Sequence, residues 1–167
     1  EYIYHRTDTD TYIRFQDNDV RIATAGAERV TVDPNGKIGI GTTAPSSTLQ
    51  LNGSLALKVY NINAANDPGT TYTMTDTDCV ILVNTRPTAE GGIDSAITLT
   101  LPSASSNPGM VITVKDAAGY CDINRIFITR AGSDTINGID TTVQLPTPSS
   151  FKTLISDGSS AWQEIGS

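Results

Sequence analysis

Apolar residues in the first third of the chain recur in pairs spaced two positions apart, with polar residues or glycine between them. Pro34-Asn35-Gly36 and Thr42 to Pro45 interrupt this alternation. A period of two predicts strands, and the interruptions are typical turn sequences. The predicted short strands are residues 12–15, 20–23, 30–32, 38–40, 49–51 and 55–59.

Each of these strands offers only about two large side chains to a core. Val30 and Val32 form one pair, and Ile38 and Ile40 form the next. Isolated two-stranded hairpins are marginal in water, because they bury too little apolar surface. We therefore expect other chains to supply the missing surface of this region.

From about residue 72 the strands are longer and more continuously apolar. They are predicted at 72–74, 79–83, 97–101, 110–115, 126–129, 142–145, 151–156 and 161–165, with turn sequences such as Asn137-Gly138 between them. Strands separated by turns every dozen residues predict a β-sandwich or a β-prism. Ala-containing segments 64–68 and 104–108 are short, lack a 3.6-residue apolar period and run into proline, so we expect essentially no helix.

Three regions follow: a stem over residues 1–60, a joint over 61–71 rich in Asn, Ala, Pro and Gly, and a head over 72–167. Two explanations fit Gly39 and Gly41, which alternate with Ile38 and Ile40. Their bare face lets another chain's backbone approach closely, or they bracket a bulge or irregular turn.

Residues 35–45, together with the strand at 49–51 and Asn52-Gly53, also resemble a repeat in the stalks of bacteriophage tail fibres and tailspikes. Segments 10–22 and 26–33 look like those that usually precede the repeat. The likeness covers about the first third well, and the strand-and-turn rhythm of the rest more loosely. It implies a homotrimer wound about a common axis, on the virion exterior, with the C-terminal head pointing away from the particle and mediating host attachment.

Charge and hydropathy exclude two classes of partner. The net charge is −7, so three chains carry three times −7, or −21, which repels a polyanion. No apolar run approaches the ~20 residues that span a bilayer. We expect no nucleic acid, no membrane insertion and no cofactor.

The sequence also gives little support to catalysis. Gly39-Ile40-Gly41-Thr42-Thr43-Ala44 matches the spelling of a dinucleotide-binding motif, but no helix pattern follows it. His5 is the only histidine, and it is far in sequence from Cys79 and Cys121, so a nucleophile–base pair is not expected. Those cysteines could pair with each other, but two cysteines in 167 residues do not make a disulfide framework, so free, buried thiols are favoured.

A glycan depolymerase would need paired carboxylates. Glu90 and Asp94 are the best pair, and Glu164 or Asp122 of another subunit is a further option. Three couples of aspartates two residues apart, at positions 8 and 10, 17 and 19, and 76 and 78, lack a full calcium loop, so turn formation is favoured and no metal is predicted.

Receptor contacts are expected on a loop over a rigid scaffold. The polar segment 118–125 gives the candidate receptor-binding residues Tyr120, Asp122, Asn124 and Arg125, whereas Trp162 is expected to pack in the core.

The resulting hypothesis is an all-β fibre protein with an intertwined trimeric stem and a β-sandwich or β-prism-like head. Its expected partners are two further copies, other virion tail or baseplate proteins, and a host cell-surface glycan or protein. The alternatives are a purely structural shaft, head decoration or connector, a polysaccharide depolymerase, and a bacterial surface adhesin.

Overall fold

The computed structural model describes residues 1–66 and 68–167. Strands account for 44% of the chain, and no described helix reaches seven residues, which confirms the all-β class. Two single 3₁₀ turns, Thr88–Glu90 and Ala104–Ser106, are the described helical elements. The chain divides into two compact units, Glu1–Ala56 and Leu57–Ser167.

The first unit is one six-stranded sheet in which each strand pairs with the next along the chain. Strands β1 to β5 are antiparallel, and β6 is parallel to β5. Ala25 and Gly26 both have positive φ between β3 and β4, as a two-residue type I′ hairpin turn requires. The strands are β1 (Tyr2–His5), β2 (Asp8–Gln16), β3 (Asp19–Thr24), β4 (Ala27–Val32), β5 (Ile38–Ile40) and β6 (Leu49–Leu51).

The described residues of the second unit form two sheets, of six and four strands. Its strands are β7 (Val59–Ile62), β8 (Thr71–Thr73), β9 (Val80–Val83), β10 (Ile97–Thr100), β11 (Val111–Asp116), β12 (Ile126–Thr129), β13 (Thr135–Ile136), β14 (Val143–Gln144), β15 (Phe151–Ser156) and β16 (Ala161–Gly166).

The chain alternates between these sheets from β7 to β15. The six-stranded sheet has the order β13-β16-β15-β11-β9-β7, and the four-stranded sheet has the order β14-β12-β10-β8. Neighbouring strands β7, β9 and β11 are parallel, as are β8, β10 and β12. From β7 to β12, each passage through both sheets is therefore one coil of a solenoid. The run of coils ends after β12, because β14 pairs with β12 and β15 pairs with β11 in antiparallel orientation.

One hydrophobic core lies between the two sheets of the second unit. Ile81 and Ile112 enter it from the six-stranded sheet, and Leu99 and Ile128 enter from the four-stranded sheet. Trp162 is fully buried there, and its indole N–H donates to the carbonyl of Pro102 at 3.0 Å. The predicted core position of Trp162 is confirmed.

Several boundaries differ from the sequence prediction. Of the strand predicted at 55–59, only Val59 is in a strand, and it begins β7 of the second unit. The stem was predicted to end near residue 60 and the joint to span 61–71, whereas the two units divide between Ala56 and Leu57. Pairing of β7 with β9 draws these residues into the second unit. Asp67, within the predicted joint, lies outside the described residues.

The two alternating glycines have a local explanation. A Cβ on Gly39 would lie 2.3 Å from the carbonyl oxygen of Thr42, and Gly41 has a φ of +72°. The chain's own turn therefore requires both glycines, as the irregular-turn explanation predicted. No helix follows the motif, because residues 42–48 lead directly into β6.

Candidate functional site

One face of the first unit's sheet carries two rows of apolar side chains that cross all or nearly all of its strands. Strand register places one residue of each strand opposite its neighbour. We call these eleven residues the apolar face. They are Ile3, Ile13, Ile22, Val30, Ile40 and Leu51 in one row, and Phe15, Val20, Val32, Ile38 and Leu49 in the other.

The apolar face is not covered by the rest of its unit. Eight of its eleven residues each expose between 36% and 62% of their surface. Among this unit's described Ala, Val, Ile, Leu, Met, Phe, Tyr, Trp and Cys residues, only Ala23 is buried, and it points away from the apolar face. A monomeric soluble protein rarely leaves so continuous an apolar patch in water.

The opposite face of the same sheet holds the charges. Arg21 donates to Glu28 at 2.6 Å and pairs with Asp19 at 2.9 Å, while Arg14 donates to the other oxygen of Glu28 at 2.8 Å. Hydrogen bonds from Arg21 to these carboxylates raise the pKa of its guanidinium. The β-bulge beside Ala23 places Glu28 on this face rather than among the aliphatic side chains. The eleven residues of the apolar face are themselves uncharged.

The four candidate receptor-binding residues lie together on one loop of the second unit, in two different environments. Asp122 and Arg125 are exposed, and Tyr120 is half-buried. Asn124 is buried, and its amide donates to the carbonyls of Thr85 and Ile93, both at 2.8 Å. Asn124 therefore fixes the loop and does not point outward, contrary to its expected surface role.

A buried carboxylate organises the surrounding loops. Asp116, at the end of β11, is completely buried, and burial by itself would raise its pKa. Its hydrogen bonds outweigh that effect and hold the pKa below the usual value. The donors are the hydroxyl of Thr85 at 2.6 Å and the backbone N–H groups of Ala118, Gly119, Cys121 and Ser149 at 2.9–3.2 Å. Sequence reasoning missed this residue, because Asp followed by Ala-Ala-Gly has the same pattern as an ordinary turn.

Asp78 plays a similar role in the connection between β8 and β9. It is fully buried, which by itself would raise its pKa, and it accepts hydrogen bonds from Thr75, Lys58 and Tyr72 that lower the pKa overall. Burial and the bond to Asp78 raise the pKa of Tyr72 to about 12. Asp78 is thus a turn-forming aspartate.

The structure gives the candidate catalytic carboxylates individual partners. Asp94 accepts a hydrogen bond from the backbone N–H of Thr88 at 3.0 Å, and Glu164 accepts one from Lys152 at 2.7 Å. Glu90 is exposed on the 3₁₀ turn, and Asp122 is exposed on its loop.

The histidine and the two cysteines lie in different environments. His5 is exposed on β1, where its ring Nδ1 lies 3.2 Å from the hydroxyl of Thr7. Cys79 and Cys121 are both free thiols, as expected, but Cys79 is only half-buried. Burial, and then the neighbouring Asp116, raise the pKa of Cys121 to about 11. Within residues 1–66 and 68–167, no three His, Cys, Asp or Glu side chains cluster as metal ligands would.

Comparison with known proteins does not extend this picture. No protein-family model matches the chain, and a search of curated proteins finds no match. Among the described residues, no helix has the length and apolar character needed to cross a membrane.

Proposed function

We propose that this chain is part of a homotrimeric bacteriophage fibre that attaches the virion to its host. The first unit forms the stem through its apolar face, and the second unit carries the host-binding surface. The observation that carries the proposal is the uncovered apolar face. We expect the strands of a fibre stem to bury such a face against other chains.

A second copy of the same chain is the occupant that fits this face best. The face is aliphatic apart from Phe15 and has no charge, so it complements itself. Its eight most exposed residues leave uncovered the equivalent of about three and a half complete side chains. At about 1.5–3 kcal/mol for each fully buried side chain, covering them is worth on the order of 5–10 kcal/mol per chain. That gain falls in the range of about 4–15 kcal/mol that association must offset.

Three chains rather than two follow from the resemblance of residues 35–53 to the fibre stalk repeat. Three identical heads on one stem convert weak single contacts into firm attachment through effective concentration. The second unit suits this role, because its loops are anchored on a well-filled core.

Light scattering on the purified chain tests the assembly. The expected mass is about 53 kDa, three times the 17.7 kDa of one chain. A stable monomer at micromolar concentration would contradict the fibre proposal.

Host attachment needs a separate test. Labelled full chain is expected to bind host cells, whereas a chain ending at Ala56 is expected to lose that binding. A connector would instead lose its incorporation into particles when the second unit is removed.

A further inference from the structure

A small, partly open cleft lies in the second unit. It has a volume of about 250 Å³, and polar atoms form more of its wall than apolar atoms do. This volume is just below the range of about 300–1,000 Å³ that is usual for drug-sized ligands, so the cleft suits one small chemical unit. Its lining residues are Asn61, Ile62, Asn63, Leu82, Asn84, Arg86, Ala117 and Ala118.

The topology explains why these residues meet. Strands β7, β9 and β11 are parallel neighbours, and register aligns Ile62 with Val83 and Val83 with Asp116. The carboxyl ends of the three strands therefore lie at the same edge of the sheet. The first residues past those ends are Asn63, Asn84 and Ala117.

Backbone and side-chain hydrogen bonds hold the cleft walls in place. Asn84 donates its backbone N–H to the carbonyl of Ile62 at 2.8 Å, and Ala117 donates to Val83 at 2.9 Å. Asp116 accepts from the backbone of Ala118 at 3.2 Å, which fixes the adjacent turn. A preformed cleft loses less ordering entropy when it binds a ligand.

Unused hydrogen-bonding groups in the cleft are mostly donors. Among the described residues, the Arg86 guanidinium and the Asn61 side-chain amide have no hydrogen-bond or ion-pair partner, and the Nδ2 of Asn63 has none either. The Oδ1 of Asn63 is already occupied by two backbone N–H groups. Asn84 is occupied at both ends, by Gly91 and by the backbone N–H of Arg86. The vacant positions therefore include five guanidinium N–H groups and two amide NH₂ groups.

We propose that this cleft binds a carboxylate-bearing sugar residue, such as a uronic acid of a surface polysaccharide. The planar Arg86 guanidinium matches a carboxylate in bidentate geometry. The amides of Asn61 and Asn63 pair with ring hydroxyls, and Leu82, Ala117 and Ala118 offer an apolar wall for the C–H face of the ring. This inference specifies the class of host ligand that the second unit binds, and it therefore rests on the attachment role proposed above.

Ligand-observed saturation-transfer NMR on the full chain tests the site with two matched probes. Sodium D-glucuronate carries a carboxylate where D-glucose has a hydroxymethyl group. We expect glucuronate to bind saturably in the millimolar range and at least ten times more tightly than glucose. Equal binding of the two sugars would overturn the inference, as would acetate binding as tightly as glucuronate.

Three variants locate the binding. Arg86→Gln is expected to remove the tenfold preference for glucuronate, and Ala117→Trp is expected to abolish binding of both sugars by filling the cleft while every charge is kept. Arg6→Gln removes the same charge from an exposed arginine of the first unit and is expected to change nothing. Unchanged glucuronate binding in both Arg86→Gln and Ala117→Trp would place the sugar elsewhere and refute the site.

Cell attachment separates this inference from the fibre proposal. If the wild-type chain is trimeric and binds host cells while glucuronate does not bind in the cleft, the cleft assignment alone fails. If glucuronate binds and Arg86→Gln removes the preference, but the chain is monomeric and does not bind cells, the site stands and the fibre proposal fails.

Discussion

Replacement of Ile22 by lysine tests the role of the apolar face most directly. Ile22 lies on β3 between Ile13 and Val30, in the middle of the longer apolar row, and 40% of its surface is exposed. In a trimer closed through this face, the exposed part would become buried. The variant therefore puts three ammonium groups into an uncharged interface.

The expected cost has two components. In the trimer, the 40% of Ile22 that is exposed in one chain would become buried. At about 1.5–3 kcal/mol for a full side chain, losing that burial costs about 0.6–1.2 kcal/mol per chain, or about 2–4 kcal/mol per trimer. Burying an unpaired ammonium costs several kcal/mol per ion. With only about 2 kcal/mol for each charge, the total is at least about 8 kcal/mol per trimer. At about 1.4 kcal/mol per decade, the association constant falls by more than five decades.

Size-exclusion chromatography with light scattering measures the result at micromolar concentration. The wild type is expected near three times 17.7 kDa, and Ile22→Lys near one chain mass. Gln16→Lys is the matched control, because Gln16 is exposed on the neighbouring strand, faces away from Phe15 and gains the same charge. The single tryptophan is buried in the second unit, so its fluorescence reports whether that unit remains folded.

A trimeric Ile22→Lys variant with the thermal midpoint of Gln16→Lys would refute the role of the apolar face. So would a stable wild-type monomer, since no interface would then exist to disrupt.

Further expected outcomes concern the interior of each unit. Asp116→Asn is expected to lower the free energy of unfolding by about 2–4 kcal/mol in urea titrations followed by tryptophan fluorescence, because an amide cannot accept from donors at both of its ends. Since the folded pKa of Asp116 lies below the unfolded one, its stabilisation is complete above about pH 4 and is lost as pH falls through the folded pKa. Thermal midpoints of wild type should therefore fall below pH 4 more steeply than those of Asp116→Asn, and parallel curves would contradict this. A thiol reagent at pH 8 should label Cys79 but not Cys121 in the native chain and both in denaturant, and two fast native thiols would refute the burial argument. Gly39→Ala is expected to destabilise the first unit by about 1–3 kcal/mol through overpacking, measured by thermal melting followed by circular dichroism. Gly53→Ala is the control and should be neutral, because a Cβ at Gly53 would have no neighbour within 4 Å.

The strands were predictable wherever alternation and turn residues coincided. The predicted strand at 38–40 matches β5, and that at 49–51 matches β6, because glycine or polar residues separate two large aliphatic residues in each. Strand β1 was missed, since Tyr2–His5 lacks a polar–apolar contrast. The two-residue strand β13 was missed because it is defined only by pairing with β16.

Topology and the roles of polar residues were harder to predict. Alternation of the chain between two sheets depends on which distant strands pair, and β11 joins both β9 and β15 without a local signal for either. Likewise, Asn124 and Asp122 look equally polar in the sequence, yet only Asn124 finds buried carbonyls to satisfy its amide. The cleft around Arg86 was not predicted, because its walls come from three strand ends far apart along the chain.

The solenoid arrangement of the second unit has a consequence for divergence among related chains. Connections that leave β7, β9 and β11 emerge side by side at one rim, while the ladders between these strands lie below it. Insertions or exchanges at that rim would alter the exposed loops without altering a single inter-strand pair. Such an architecture tolerates change one loop at a time, because the strands that carry the loops keep their pairing.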